Sequence, residues 1–147
     1  MSSKKSIRFC IVASRFNEEI TQLLVQGAYA GFRSQGVARS NVDVVWVPGA
    51  FELPGKALQL AKTKKYRAIV AVGCILAGET PQYAYLADAT FQGLMTAGLL
   101  SGIPVTCGVI TAQKWKHAVE RSRAGGRMNR GREAAEVAWK MTRSPSR

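Results

Sequence analysis

The sequence predicts an α/β protein: a single three-layer α/β/α domain with a four-stranded parallel sheet, of flavodoxin-like type. Short apolar runs alternate with stretches of helical periodicity throughout the 147 residues. The third run, residues 67–75, is apolar almost throughout, which is typical of a parallel strand covered on both faces. No repeat or linker divides the chain, so we predict one domain over residues 1–147, with flexible ends at 1–6 and 142–147.

The first half of the chain predicts two strands and two helices. Residues 7–13 form a strand, and apolar residues recur at helical spacing from Ile20 to Phe32, until Gly36 ends the helix. Residues 42–47 form the second strand. A helix over residues 51–62 follows, because proline is tolerated in the first turn of a helix.

The second half continues the alternation. After the third strand, residues 81–101 form a long helix and residues 104–110 form the fourth strand. Two further helices are predicted at residues 113–123 and 129–141, separated by an Arg- and Gly-rich break.

The long helix is apolar on almost every side, and Asp88 is its only charged residue between 83 and 100. A helix that covers one sheet face usually keeps a polar side, so an apolar one needs a second partner. Burial within one chain is the alternative, but few other elements remain to cover it. We therefore predict that this helix lies in a subunit interface of a homo-oligomer.

The net charge of +12 is concentrated near the end of the chain. Residues 114–147 contain ten Lys or Arg against three acidic residues, a surplus of seven. A solvated basic face explains this surplus, and a phosphate site that uses one or two of these residues fits beside it. A third interpretation, RNA binding or a scaffold role, lacks support, since no aromatic residues are interleaved with the arginines. We expect no nucleic-acid partner.

The three cysteines, Cys10, Cys74 and Cys107, each lie in an apolar strand-like run without metal-ligand spacing. We interpret them as small buried thiols in a reducing compartment. The initial residues lack the apolar core of a signal peptide, and polar side chains interrupt residues 81–100. A cytoplasmic protein without a membrane span is therefore expected.

The loops after the first three strands meet at the edge where parallel sheets bind ligands. Phe16 in the first loop is either a ring that stacks on a flat heterocycle or a core residue. Glu52 in the second is either an acceptor for ring N–H groups and hydroxyls or a helix-dipole partner. Residues 78–80, Gly-Glu-Thr, offer amides and a hydroxyl to a phosphate, and Arg121 is a candidate phosphate clamp.

These motifs resemble those of the 6,7-dimethyl-8-ribityllumazine synthase family, nearly collinearly from residue 7 to about 141. The motifs that carry the resemblance are RFN (15–17), VPGAFELP (47–54), GETP (78–81), GIPV (102–105), GVIT (108–111) and AVER (118–121). The resemblance implies condensation of 5-amino-6-(D-ribitylamino)uracil with 3,4-dihydroxy-2-butanone 4-phosphate, a step of riboflavin biosynthesis, without cofactor or metal. It also implies pentamers, and in some members decamers or sixty-subunit shells.

The resemblance further implies a role for each site residue. Phe16 stacks on the pyrimidine, and Ala50, Phe51 and Glu52 hold the ribityl chain and ring edge. Three residues, Cys74, Ile75 and Leu76, line the pyrimidine site. The phosphate is bound by Glu79 and Thr80, and by Arg121 of a neighbouring subunit, with Arg130 near the position of a family lysine.

The chain departs from the family pattern at several positions. Gln82 replaces the histidine that transfers protons, and an amide cannot exchange a proton near neutral pH as imidazole does. The lone histidine, His117, lies four residues before Arg121 and is expected to be a solvated surface residue rather than a substitute.

Further departures are Ala77 for arginine, Ala84 for an acid, Cys107 for a phenylalanine that lines the shared site, and a longer basic turn at residues 123–130. That turn affects assembly beyond the pentamer. A catalytically weak or inactive lumazine- or flavin-binding shell protein is the alternative function.

Overall fold

The computed structural model describes residues 7–78, 80–124 and 128–143. Four parallel strands, in the spatial order β2-β1-β3-β4, form the sheet. They are β1 (Phe9–Ser14), β2 (Val42–Val47), β3 (Ala68–Leu76) and β4 (Val105–Ala112). Five α-helices accompany them in the described part of the chain: α1 (Glu18–Arg33), α2 (Leu53–Ala61), α3 (Gln82–Ser101), α4 (Trp115–Ser122) and α5 (Arg130–Thr142). The predicted α/β class with a four-stranded parallel sheet is confirmed.

Apolar side chains fill both faces of the sheet. Phe9 of β1 stacks on Phe32 of α1, with ring centroids 4.5 Å apart, in the core beneath α1 and α5. On the opposite face, Leu53 of α2 and Leu94 of α3 are almost fully buried against β1 and β3. Because helices cover both faces, β1 and β3 are buried along nearly their whole length.

Helices α1 and α5 pack closely because glycines face the contact. A Cβ atom on Gly131 would overlap the backbone carbonyl of Leu24, and one on Gly27 would overlap the side chain of Asn129. Asn129 also caps α5, since its Oδ1 accepts a 2.9 Å hydrogen bond from the Arg132 amide. Its Nδ2 donates to the carbonyl of Ser122 at 2.9 Å and thereby links α5 to α4. This packing brings the basic end of the chain back onto the sheet.

Several predicted boundaries shift. Helix α1 ends at Arg33, and Gly36 supplies the positive φ (88°) of the following turn. Residues 50–52, where the predicted second helix begins, form a 3₁₀ turn in which the Glu52 amide donates to the Gly49 carbonyl at 3.1 Å. Helix α5 runs to Thr142, one residue into the expected flexible end. Residues 1–6 and 144–147 lie outside the described residues.

The prediction that all three cysteines are buried is wrong for Cys107. Cys10 and Cys74 lie on inner strands, whereas Cys107 lies on β4, which pairs with β3 alone among the described strands. An edge strand has no neighbouring strand on its outer side, so an apolar run there does not guarantee burial.

Helix α3 is apolar on its outer side, as the sequence indicates. Ala87, Thr90, Leu94 and Ala97 form its buried stripe. Its outward face carries large exposed apolar side chains: Tyr85, Phe91, Met95, Leu99 and Leu100. None of the described helices has the length and hydropathy needed to cross a membrane.

Candidate active site

A cavity of about 420 Å³ opens at the carboxyl edge of the sheet. Three strand-ending loops and the start of α3 form its walls. Phe16 follows β1, residues 48–52 follow β2, residues 74–76 end β3, and Gly78 and Thr80 follow it. Parallel strands place these separate loops side by side, which is the usual position of a ligand site in this fold.

Phe16 and Phe51 contribute two exposed rings to this cavity. Their side chains are 72% and 66% exposed, respectively. The alternative that Phe16 is a core residue is therefore wrong. The backbone of Phe16 is held in place, since its amide donates to the Pro48 carbonyl at 3.1 Å. Exposed rings on a fixed backbone suit stacking on a flat heterocycle.

Glu52 provides a carboxylate in the same cavity. Its Oε1 would lie 3.2 Å from a Cβ atom built on Gly49, so the carboxylate rests against the loop after β2. An ionised carboxylate accepts hydrogen bonds only, and can therefore hold ring N–H groups or hydroxyls. Ala50 lies beside it and is buried.

The end of β3 forms the floor of the cavity. Cys74, Ile75 and Leu76 line it. Burial raises the pKa of the Cys74 thiol to about 11, so this sulfur is protonated and uncharged at neutral pH. The floor is consequently apolar and carries no charge from this group.

The start of α3 closes the remaining side. Thr80 and Gln82 both line the cavity, and the Thr80 hydroxyl accepts a 3.3 Å hydrogen bond from the backbone amide of Gln82. Gly78 lies beside them, whereas Glu79 lies outside the described residues. The Gln82 side chain is exposed, so its side-chain amide faces the cavity and solvent rather than the core.

Cys107, Arg121 and Arg130 do not line this cavity. They lie along the edge strand β4 and the helices beside it. Arg121 donates through Nη1 to the Thr111 carbonyl at 3.0 Å. Arg130 donates to the Glu133 carboxylate at 3.2 Å, and its backbone lies against Gly108. One chain therefore brings the predicted pyrimidine-site residues together, but not these three.

The Cys107 thiol lies close to the Arg130 charge. Atoms packed around the sulfur remove water and raise the pKa of Cys107, while the Val109 amide and the positive charge of Arg130 oppose this rise.

His117 is half-buried on α4 rather than fully solvated. No cluster of three or more metal-ligating side chains occurs in the described ranges.

Two cavity residues carry no signal that the sequence interpretation used. Tyr83 and Leu86 line the wall beside Gln82. Positions three and four apart share one face of a helix, so the spacing of residues 82, 83 and 86 could have indicated them.

A sequence model described as 6,7-dimethyl-8-ribityllumazine synthase matches residues 6–146. The chain belongs to the 6,7-dimethyl-8-ribityllumazine synthase family.

Relatives that bear this name occur in bacteria and plants. The Stenotrophomonas maltophilia protein is 41% identical over 141 residues, which are 96% of this chain and 90% of the relative. The chloroplastic protein of Spinacia oleracea is also 41% identical, over 142 residues, which are 96% of this chain and 63% of the relative. The chloroplastic protein of Arabidopsis thaliana is 37% identical over 138 residues. The chain thus spans about 60% of the plant lumazine synthases and most of the bacterial one.

Proposed function

We propose that this protein condenses 5-amino-6-(D-ribitylamino)uracil with 3,4-dihydroxy-2-butanone 4-phosphate to give 6,7-dimethyl-8-ribityllumazine. The observation that carries the proposal is the single cavity that collects Phe16, residues 50–52, residues 74–76, Thr80 and Gln82. Family membership supports the reaction. The proposal includes a cytoplasmic, reducing location, which the two buried free thiols support.

The cavity suits the two substrates in different places. A pyrimidine ring fits against Phe16 above the apolar end of β3, with its ribityl chain toward Glu52 and the loop after β2. The butanone phosphate fits near Gly78 and Thr80, where the start of α3 provides amides and a hydroxyl. These positions bring the aryl amine of one substrate next to the ketone of the other.

The reaction then follows from proximity. The aryl amine attacks the ketone carbonyl, and loss of one water gives an imine. Inorganic phosphate leaves, and ring closure with loss of a second water gives the lumazine. Holding two reactants in a productive geometry lowers the activation barrier by about 7–11 kcal/mol in the best cases, so binding alone supplies much of the acceleration.

Proton transfer is the step in which this chain differs from its family. The Gln82 amide orients a substrate or a water, and cannot act as an acid or base near neutral pH. We propose that water or the substrate phosphate moves the protons instead. General acid–base groups usually contribute about 10²–10⁴ in rate, so a low turnover number is expected.

The proposal also includes assembly into a pentamer or a multiple of pentamers. Arg121 and Arg130 lie away from the cavity of their own chain, so a neighbouring subunit would bring the phosphate-binding arginines to it. The exposed apolar face of α3 and the outer edge of β4, which no other described strand pairs with, offer surfaces for such a contact.

The deciding experiment mixes purified protein with both substrates and follows lumazine formation against the uncatalysed background. A rate above background that falls in Phe16→Leu supports the enzyme. Lumazine binding without turnover supports the alternative, a binding or shell protein that has lost catalysis, which the glutamine at position 82 favours. Absence of both binding and turnover overturns the proposal.

A further inference from the structure

The short connection between β1 and α1 is attached to both neighbouring strands. On one side, the Arg15 amide donates to the Val47 carbonyl at 2.8 Å and the Phe16 amide donates to the Pro48 carbonyl at 3.1 Å. These bonds join it to the end of β2. On the other side it is held by a side chain, that of Asn17.

Asn17 donates through Nδ2 to the Cys74 carbonyl at the end of β3, at 3.0 Å. The two residues are 57 positions apart in sequence. The Phe16 ring therefore projects from a segment fixed at both cavity walls, the loop after β2 and the end of β3. Both anchor positions, Pro48 and Cys74, also line the cavity.

The backbone of Asn17 is unusual. Its φ of 60° and ψ of 45° place it in the left-handed region, which residues with a Cβ atom seldom adopt. Its carbonyl accepts from the Ile20 and Thr21 amides at 3.0 and 3.1 Å and so begins α1.

An asparagine at the start of a helix usually caps an amide of the first turn with its side-chain oxygen. Asn17 makes no such side-chain bond, and its amide reaches β3 instead. Helix capping therefore does not account for the side chain at this position.

We propose that Asn17 is a positioning residue that holds the Phe16 ring in place for stacking. The inference rests on the proposed function only for the identity of the stacked ligand, a ribityl-substituted pyrimidine or lumazine. Asparagine meets two needs at once, because it tolerates the left-handed backbone and offers an N–H donor to the Cys74 carbonyl.

Two substitutions separate these needs. Asn17→Gly keeps the left-handed backbone and removes the donor. Asn17→Asp keeps both backbone tolerance and shape, but faces the Cys74 carbonyl with an acceptor. Lys64→Gly is the matched control, since Lys64 is the second non-glycine residue with positive φ (62°) in the described chain and lies in the turn after α2, outside the cavity.

The first measurement is the dissociation constant of 6,7-dimethyl-8-ribityllumazine, together with the KM of each substrate. A net hydrogen bond or a stacking contact is worth about 0.5–1.5 kcal/mol, so Asn17→Gly and Asn17→Asp should weaken lumazine binding and raise the pyrimidine KM about 3–10-fold. The KM of the butanone phosphate and the values of Lys64→Gly should stay unchanged. In a Phe16→Leu background, the effect of Asn17→Gly should shrink to less than about 2-fold.

The second measurement needs no ligand. The ¹⁵N order parameter of the Phe16 amide should fall in Asn17→Gly and stay unchanged in Lys64→Gly. An unchanged order parameter overturns the inference, as does an equal loss of lumazine binding with and without the Phe16 ring. A wild-type protein that neither binds lumazine nor forms it contradicts the proposed function, whereas the order parameter still decides the role of Asn17.

Discussion

The Glu52 carboxylate lies against the backbone of Gly49, so close that a side chain at position 49 would displace it. A Cβ atom at Gly49 would stand 3.2 Å from Glu52 Oε1. The backbone of Gly49 is extended (φ −146°, ψ 176°), a conformation open to any residue. The absence of a side chain at Gly49 therefore matters for the position of the Glu52 carboxylate rather than for the backbone.

Gly49→Ala should weaken substrate binding without unfolding the protein. The exposed Glu52 side chain can give way, so we expect a stability change within about 1 kcal/mol. The displaced carboxylate should raise the KM of the pyrimidine substrate about 3–10-fold, through the loss of one hydrogen bond. Steady-state kinetics and urea denaturation measure the two effects.

Gly55→Ala is the matched control, because nothing in the described chain lies within 4 Å of a Cβ atom at Gly55 of α2. It should stabilise the helix by about 0.5–1 kcal/mol and leave KM unchanged. Equal KM values for the two variants would mean that the position of Glu52 does not affect binding.

Gln82→His should raise turnover. The side chain lies at the first position of α3 and lines the cavity, so an imidazole can reach the substrates without disturbing either core. We expect an increase of up to about 10²-fold and a new pH dependence of kcat near the ordinary histidine pKa of about 6.5. Gln82→Ala should change turnover by less than 10-fold, because the amide transfers no proton.

Gln35→His is the control for an added histidine, since Gln35 is an exposed turn residue after α1, at the other end of that helix from the cavity. Complete loss of activity in Gln82→Ala would assign the amide an essential role. A Gln82→His variant no faster than wild type would show that protons already move efficiently by another route.

Asp43 should make the protein sensitive to acid. The Tyr66 hydroxyl donates to its Oδ2 at 2.6 Å and the Arg8 guanidinium to its Oδ1 at 2.6 Å. These contacts, the Tyr66 hydrogen bond first, hold the pKa of Asp43 below its ordinary value of 3.8, although desolvation opposes them. Because the folded pKa is the lower one, this stabilisation is present above pH 3.8 and is lost as the pH falls through the folded value.

Asp43→Asn should be less stable than wild type at pH 6, by about 1 kcal/mol, and should lose less stability between pH 6 and pH 2.5. Urea midpoints across this range measure both differences. Glu120→Gln, at an exposed carboxylate on α4, should retain the acid dependence of the wild type. If the urea midpoints of wild type and Asp43→Asn fell equally with pH, Asp43 would not be the source of the acid sensitivity.

Met95→Glu should disrupt the proposed oligomer. The Met95 side chain is 67% exposed on the apolar outer face of α3, and a buried, unpaired charge in an interface is strongly destabilising. Sedimentation velocity should show smaller species than for the wild type. Gln35→Glu is the matched control, since it adds the same charge at an exposed turn residue after α1, and it should leave the assembly unchanged. Identical sedimentation of both variants and the wild type would exclude this face as the interface.

The alternation of strands and helices was predictable because each element carries its own periodicity. Residues 42–47 were predicted as a strand with the bounds that β2 has. The start of α2 was not predicted correctly. Ala50–Glu52 has helical composition but forms a 3₁₀ turn, in which the hydrogen bond reaches the residue three positions earlier rather than four. The exposure of Cys107 depends on sheet order, which local periodicity does not reveal.

The cavity was predictable in outline for a similar reason. Loops after parallel strands share one edge, so Phe16 and residues 50–52 could be placed together before any coordinates were known. The bond from Asn17 to Cys74 could not, because its partners are 57 residues apart and local periodicity does not reveal contacts between distant residues. Local periodicity also does not give the separation of Arg121 from the cavity of its own chain, which the resemblance implied; in the fold the Arg121 guanidinium binds the end of β4.

Gln82 is an exposed residue at the first turn of α3 and belongs to neither apolar core. Exchange of its side chain therefore leaves the sheet, its covering helices and their packing intact. The position at which we propose that proton transfer was altered is thus one that mutation can replace while the architecture persists. Selection can tune the chemistry of such a chain independently of its folding.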